Sequence, residues 1–269
     1  MDKRVVAGGA AVVLLGAGAW FVLSTQRDDA TSVGTRAAPP PTASLAAPVA
    51  VGAARFRVAD AGTATLLIDA PLEKIKGRWT RFRGTLDLDP SDLSKSHGEV
   101  DLDLDDLVTE TFGDKDKDAA QTEHAHNWLE LGEGATERQT NRWARFTFKS
   151  LESAVPARLS DAPEQNGART LKVVAKGDMW LHGVTAQKTV KLTVAVRGPV
   201  TAPTSIEITT DEPIGISLKE HDVKPRDVAG KFLSGALEKI GKKIDDAAQI
   251  TLDVSATRDA PLDVDGAAP

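Results

Sequence analysis

The clearest pattern along the chain is an alternation of apolar and polar residues within the stretch 172–196. In the second half of this stretch the apolar positions are Val190, Leu192, Val194 and Val196. A period of two residues is typical of a β-strand with one buried and one solvent-facing side. The pair His182–Gly183 divides the stretch 172–196 and predicts a short turn. We therefore predict a two-stranded hairpin that forms part of a wall around an apolar interior.

Similar short runs recur through the middle of the chain. They lie at residues 55–58, 64–69, 78–89, 99–105, 143–149, 204–210 and 249–256. About eight or nine strands separated by turn signals predict an all-β fold, either a sandwich or a closed antiparallel barrel. Closure is favoured because it removes exposed strand edges, which promote aggregation.

Two segments interrupt the strand pattern. Residues 113–128 are strongly polar and predict a short helix within a long crossing loop. Residues 227–246 place apolar side chains at helical spacing, with Asp227 as a suitable N-terminal cap. The prediction is therefore a barrel of about eight strands with one or two short helices.

A run of carboxylates follows the alternation between Glu99 and Asp105. Alternating aspartates raise the possibility of calcium, but an EF-hand loop needs a central glycine, a closing glutamate and polar residues between its ligands. Val100 and Leu102 stand in those places instead. We expect this carboxylate face to be a solvated strand surface.

The chain termini differ in composition from the strand-rich part. An uncharged run from Val5 to Leu23 follows Lys3 and Arg4, which predicts a signal-anchor helix with a cytoplasmic N-terminus, or alternatively a cleaved signal peptide. The predicted organisation is a signal segment at 1–24, an Ala/Pro-rich disordered linker at 25–54, a folded domain at 55–257 and a disordered tail at 258–269. In either alternative the folded domain is exported.

Composition narrows the classes of function. A formal net charge of −6 argues against a nucleic-acid partner, because binding phosphates requires a basic surface. The absence of cysteine excludes disulfides, zinc–thiolate sites and thiol nucleophiles. No nucleophile-elbow, phosphate-loop or dinucleotide motif is present, so we predict that the protein is not an enzyme.

Three segments in order resemble the YceI-like family. The run from Gly77 to Pro90 is similar to the opening of that family, and residues 128–131 followed by 144–150 are similar to its middle. The stretch 176–185, which contains Leu-His-Gly-Val-Thr, is similar to its hairpin. The resemblance implies a lipocalin-like barrel, exported to the bacterial periplasm, that binds an isoprenoid or similar amphiphilic lipid.

The chain departs from the family pattern in the two interrupting segments. Residues 113–126 are unusually hydrophilic, and 227–246 expand a connection that is usually shorter. Both departures affect connections that would shape the mouth of a barrel. The resemblance alone therefore does not fix the ligand.

We predict that a set of inward apolar side chains lines a ligand cavity. Trp128 and Leu129 would close the barrel near its mouth. The set consists of Phe82, Leu86, Leu102, Leu104, Trp128, Leu129, Phe146, Phe148, Met179, Leu181, Leu192 and Val194. The alternative for each residue is a solid core, since small barrels can be filled by side chains or hold one ligand. Three tryptophans, Trp79, Trp143 and Trp180, are candidates for either rim positions or cross-strand packing.

Three functions follow from these alternatives. The first is binding or carriage of an isoprenoid or quinone-like lipid in the cell envelope, with a membrane contact through the N-terminal helix and no other cofactor. The second is a ligand-free structural or interaction module that uses an acidic outer face. The third and weakest is a metal-dependent protein using His124 and His126. His182 is expected to be a turn residue whose ring bonds to backbone.

Overall fold

The computed structural model describes residues 52–69, 74–224 and 247–259. These residues form twelve strands and two α-helices. The strands are β1 (Ala54–Asp69), β2 (Lys74–Leu88), β3 (His97–Asp103), β4 (Val108–Thr109), β5 (Trp143–Phe148), β6 (Leu151–Val155), β7 (Glu164–Gln165), β8 (Ala168–Leu181), β9 (Val184–Arg197), β10 (Ser205–Thr210), β11 (Ile214–Ser217) and β12 (Ala247–Arg258). The helices are α1 (Lys115–Trp128) and α2 (Arg138–Asn141).

Eight of these strands close into an antiparallel barrel. Their order is β1-β12-β10-β9-β8-β5-β3-β2, and β2 pairs back with β1. The four remaining strands are short additions: β4 pairs with β2, β6 and β7 pair with β8, and β11 pairs with β12. The predicted closed all-β barrel of about eight strands is confirmed, and the polar segment 113–128 contains the predicted short helix, α1.

The predicted hairpin is the pair β8–β9, and it is longer than the sequence pattern indicated. Its strands pair without interruption from Ala168 opposite Arg197 to Leu181 opposite Val184. The two turn residues have positive φ, 52° at His182 and 78° at Gly183. This conformation matches the two-residue type I′ turn, whose twist suits an antiparallel pair. The turn fixes the register, so Val190 and Val194 are buried on the inner side.

The expectation of a solvated carboxylate face on β3 is wrong. Asp101 and Asp103 have 0% and 1% exposure. Arg145 on β5 binds both carboxylate oxygens of Asp101, at 2.5 and 2.8 Å, and Arg83 on β2 donates to it at 2.8 Å. Arg142 binds Asp103 in the same bidentate way, at 3.0 and 2.7 Å. Two arginines of the neighbouring strands β2 and β5, and Arg142 just before β5, thus cover the carboxylates that the alternation alone predicted to be solvated.

The strand β2 changes its inner face between Trp79 and Phe82, which are both buried although three positions separate them. Asp106 stabilises this irregularity by accepting the backbone N–H groups of Thr80 and Arg81, at 2.7 and 3.1 Å. Burial alone would raise the pKa of Asp106, but the hydrogen bonds from Thr80 and Arg81 outweigh it and lower the pKa.

Several predictions concern parts of the chain outside the described residues. They are the N-terminal signal segment, nearly all of the linker and of the tail, and the helix at 227–246. Within the part that the structure describes, no helix has the length and apolar character needed to cross a bilayer.

Candidate functional site

An apolar cavity of about 250 Å³ lies inside the barrel. Its wall is built from inward side chains of the barrel strands, and nearly all of them are aliphatic or aromatic. For comparison, an apolar cavity of about 150 Å³ stays dry and accepts benzene. The space is therefore large enough for a larger hydrocarbon group, and its wall offers water few hydrogen-bond partners.

All twelve residues predicted from the sequence line this cavity. They are Phe82, Leu86, Leu102, Leu104, Trp128, Leu129, Phe146, Phe148, Met179, Leu181, Leu192 and Val194. The alternation of β2, β3, β5 and β9 placed most of these side chains on the correct face. Their contact with a ligand stays a prediction.

Phe146 and Phe148 form an aromatic pair on the wall. They lie on the same face of β5, with ring centroids 6.1 Å apart and planes at 24°. Gly177 on β8 lets β5 and β8 approach closely. A Cβ atom at Gly177 would lie 2.3 Å from the carbonyl oxygen of Thr147 and 2.9 Å from the Phe146 ring. The glycine therefore makes room for the aromatic wall.

The cavity wall also contains residues that were not predicted from the sequence. These residues include Leu66, Trp79, Ile206, Ile208, Ile250 and Leu252. Ile206 and Ile208 alternate in a segment predicted to be a strand, so their shared face was available as a signal. Trp79 was hidden because β2 changes face between it and Phe82.

Helix α1 closes one end of the cavity. Ala125 and Trp128 of the helix line the cavity, together with Leu218 and Val223 from the segment after β11. At the start of the helix, the Thr109 hydroxyl donates to the carbonyl of Asp118 at 2.7 Å and lies 2.9 Å from the Thr122 hydroxyl. No residue of α1 is fully buried, so the helix covers this end without entering the core.

The opposite end holds the polar part of the lining, which consists of Asp87, Ser96 and His97. Arg55 binds Asp87 through two hydrogen bonds of 2.8 and 2.6 Å, and this contact raises the pKa of Arg55. His97 Nε2 lies 3.2 Å from the Asp87 carboxylate. The end of the barrel that connects β2 to β3 is therefore polar and is fixed by the Arg55–Asp87 ion pair.

Ser96, His97 and Asp87 are the residue types of a hydrolytic triad, but their geometry differs from one. His97 Nδ1 faces the carbonyl of Lys95 at 3.2 Å, and the Ser96 hydroxyl accepts the backbone N–H of Asp89 at 3.1 Å. A triad requires a direct hydrogen bond between the histidine and the serine hydroxyl. The described contacts use both groups in other ways.

The three tryptophans fit packing better than rim positions. Trp79 is 4% exposed and forms part of the cavity wall. Trp143 lies on the outer face under the Arg83 guanidinium, 3.6 Å from its ring centroid, an arrangement typical of cation–π contacts. Trp180 is 3% exposed and pairs across the strands with Arg145.

The histidines considered for a metal site do not converge. His124 and His126 lie two positions apart on α1, where side chains point in different directions. Burial lowers the pKa of His126, and the nearby Arg138 lowers it further, against the opposing effect of Asp105. In the part of the chain that the structure covers, no three metal-binding side chains meet. The metal hypothesis gains no support.

Comparison with known proteins gives one family. The family model for the YceI-like domain matches residues 58–256. A solved polyisoprenoid-binding domain from Saccharophagus degradans, implicated in plant cell wall breakdown, has 12% identity and a TM-score of 0.50, over 77% of this chain and 99% of its own. BcnA from Burkholderia cenocepacia has 16% identity and a TM-score of 0.46, over 73% and 96%. No curated protein matches the chain. Since the family model covers most of the chain and the barrel agrees with it, the protein belongs to the YceI-like domain family.

Proposed function

We propose that the protein binds and carries a long-chain apolar lipid, an isoprenoid or a similar amphiphile, inside its barrel. The observation that carries this proposal is the continuous apolar cavity of about 250 Å³. The structural relative from Saccharophagus degradans is a polyisoprenoid-binding domain, which supports the same ligand class. Eight-stranded barrels that are not filled by side chains can hold one small ligand.

The energetics of burial favour a long chain over a short one. Each buried methylene contributes about 0.8 kcal/mol. Five carbons would contribute about 4 kcal/mol, which only equals the lower bound of the association cost of about 4–15 kcal/mol. A chain of about fifteen buried carbons would contribute roughly 12 kcal/mol, about three times that lower bound. We therefore expect ligands with long hydrocarbon tails.

The polar end of the lining supports an amphiphile rather than a pure hydrocarbon. Asp87, Ser96 and His97 are grouped at one end of a wall that is otherwise apolar. His97 retains 45% side-chain exposure there, so a polar headgroup at this end would keep its contact with water. The tail would then extend towards Trp128 and Leu129 at the other end.

We further propose that the barrel acts as a non-enzymatic carrier in the periplasm, tethered to the inner membrane. The support is the apolar run from Val5 to Leu23 behind Lys3 and Arg4, followed by the Pro-rich linker. A linker of roughly 30 residues would reach at most about 90 Å. Such a tether would let one barrel exchange lipid over a wide area beside its membrane.

The interaction-module alternative uses an acidic outer face, and two carboxylates of β3 do not contribute to that face. Asp101 and Asp103 are buried and bound by arginines. These carboxylates are therefore not available to a partner. The cavity and this neutralised face together favour lipid binding.

The binding test uses the fluorescent apolar probe N-phenyl-1-naphthylamine and two substitutions on β9. Leu192→Trp adds volume inside the cavity, whereas Lys191→Trp adds it on the exposed outer face. We expect saturable binding by the native chain, at least tenfold weaker binding by L192W, and native affinity for K191W. Absence of saturable binding by the native chain, or unchanged binding by L192W, would contradict the proposal.

A further inference from the structure

Two histidines with 0% exposure lie at the end of the cavity that α1 closes. His182 occupies the β8–β9 turn, and His221 lies in the segment that follows β11. His182 Nδ1 is 3.0 Å from the carbonyl of His221, and His221 Nδ1 is 3.2 Å from the carbonyl of Leu181. The two residues therefore join the hairpin turn to the segment containing Leu218 and Val223, which lines the cavity.

These contacts determine where the ring protons lie. A carbonyl oxygen only accepts, so both Nδ1 atoms must donate, and in a neutral ring Nε2 is then an acceptor. His182 Nε2 lies 3.4 Å from Glu130 Oε2, which also accepts the Asn141 side-chain amide at 3.2 Å. The contact between His182 and Glu130 joins the α1–α2 connection to the hairpin turn.

Backbone strain is concentrated in the same place. Glu130, His182 and Asp222 have φ of 55°, 52° and 53°, and they are three of the four non-glycine residues with positive φ in the described chain. Glu130 follows the C-cap of α1, where the N–H of Leu131 bonds to the carbonyl of His126 at 2.7 Å. Glycine is preferred at this position of a helix end. Strain of this kind accumulates at clamps and switches.

His221 supplies the acid-sensitive element. Its Nε2 is buried without a hydrogen-bond partner. Burial lowers the pKa of His221 below its ordinary 6.5, and it outweighs the opposing effects of the Leu181 and Val184 backbone and of Glu220; Lys188 lowers the pKa further. Lys188 and Glu220 form an ion pair of 3.1 Å, and Asp222 beside them is paired with Lys224.

The direction of the pH effect follows from the lowered pKa of His221. The closed state binds fewer protons at His221 than an open or unfolded state does. Its contribution to closure is therefore complete above about pH 6.5 and is lost as the pH falls below that value. In acid the ring would carry a charge in a buried site, where loss of hydration makes the charged form costly.

We propose that Glu130, His182 and His221 form a proton-operated latch that holds this end of the cavity closed at neutral pH and releases it in mild acid, which allows the apolar ligand to exchange. This inference rests on the proposed lipid-binding function, because the latch controls access to the same cavity. Among the described residues, it joins three segments at this end: the α1–α2 connection, the β8–β9 turn and the segment after β11.

The test measures dissociation of N-phenyl-1-naphthylamine from the full chain by stopped-flow fluorescence at pH 7.5 and pH 5.5. We expect dissociation to be at least tenfold faster at pH 5.5. His221→Gln, which cannot titrate, should reduce this acceleration to less than threefold. Glu130→Gly removes the carboxylate while tolerating the positive φ, so this variant should release the probe rapidly at both pH values. Glu212→Gln, in an exposed ion pair on the outer surface, is the control and should keep the native pH response.

Hydrogen exchange of the native chain provides a readout that does not depend on any variant folding. Amides at 126–131 and 181–184 should lose protection at pH 5.5 relative to the rest of the barrel, after correction for the intrinsic pH dependence of exchange. Binding with equal dissociation rates and equal protection at both pH values would overturn the latch and leave lipid binding intact. No probe binding at either pH would overturn the proposed function itself.

Discussion

At the scale of single residues, buried ion pairs on the outside of the barrel connect three strands. Asp101 on β3 is bound from one side by Arg145 and from the other by Arg83. The Asp101–Arg145 pair is almost fully buried, with 0% and 4% side-chain exposure. A carboxylate held in this way fixes the order and the register of β2, β3 and β5.

Removing that carboxylate should have a large effect on stability. Asp101→Asn removes the buried carboxylate charge that binds Arg145 and Arg83, and we expect a loss of about 3 kcal/mol in the free energy of unfolding. Urea denaturation of the purified variant measures this loss. The matched control is Glu212→Gln, which breaks the exposed Lys191–Glu212 pair and should cost at most about 1 kcal/mol. Equal effects in the two variants would contradict the structural role of Asp101.

The buried carboxylates also show why part of the structure could not be predicted. Alternation correctly placed Asp101 and Asp103 on the face opposite Val100 and Leu102. Whether that face is exposed to solvent depends on Arg83 and Arg145, which are distant from Asp101 in sequence but adjacent to it in the sheet. The alternation indicates which face of a strand a residue occupies, whereas the cross-strand neighbours determine what covers that face.

At the scale of elements, the pairing of β5 with β8 depends on the missing side chain at Gly177. We expect Gly177→Ala to lose about 1–3 kcal/mol of stability, because its Cβ would collide with the backbone oxygen of Thr147. Thermal unfolding followed by circular dichroism measures this change. Gly215→Ala on β11 is a suitable control, since no atom lies within 4 Å of the Cβ position there. An undisturbed G177A barrel would show that the strands can separate at no cost.

The elements that carry a clear period were predictable, and those that depend on tertiary context were not. The hairpin β8–β9 and the inward faces of β3 and β5 follow from alternation. The role of α1 does not, since the helix has no fully buried residue and its sequence is polar. It covers the cavity through Trp128 and Leu129 at its C-terminal end, and the Thr109 hydroxyl of β4 binds its first turns. The sequence indicated Trp128 and Leu129, whereas the Thr109 contact required the structure.

At the scale of the whole molecule, closure of the sheet creates an interior whose two ends differ. One end carries Asp87 and His97 in an ion-paired group, and the other is covered by α1 and the turn that contains His182. An amphiphile bound with its headgroup at the polar end would place its tail beneath the covered end. This asymmetry gives the cavity a direction that its apolar wall alone would not have.

The most direct test of lipid binding is mass spectrometry of the native full chain, purified without added lipid and analysed both intact and after organic extraction. We predict a long-chain amphiphile bound at up to one molecule per chain, and its loss from L192W but not from K191W. The contrary result is a folded native chain in which repeated preparations show no long-chain apolar species, even after incubation with lipid vesicles that contain polyisoprenoids. This result would contradict lipid binding.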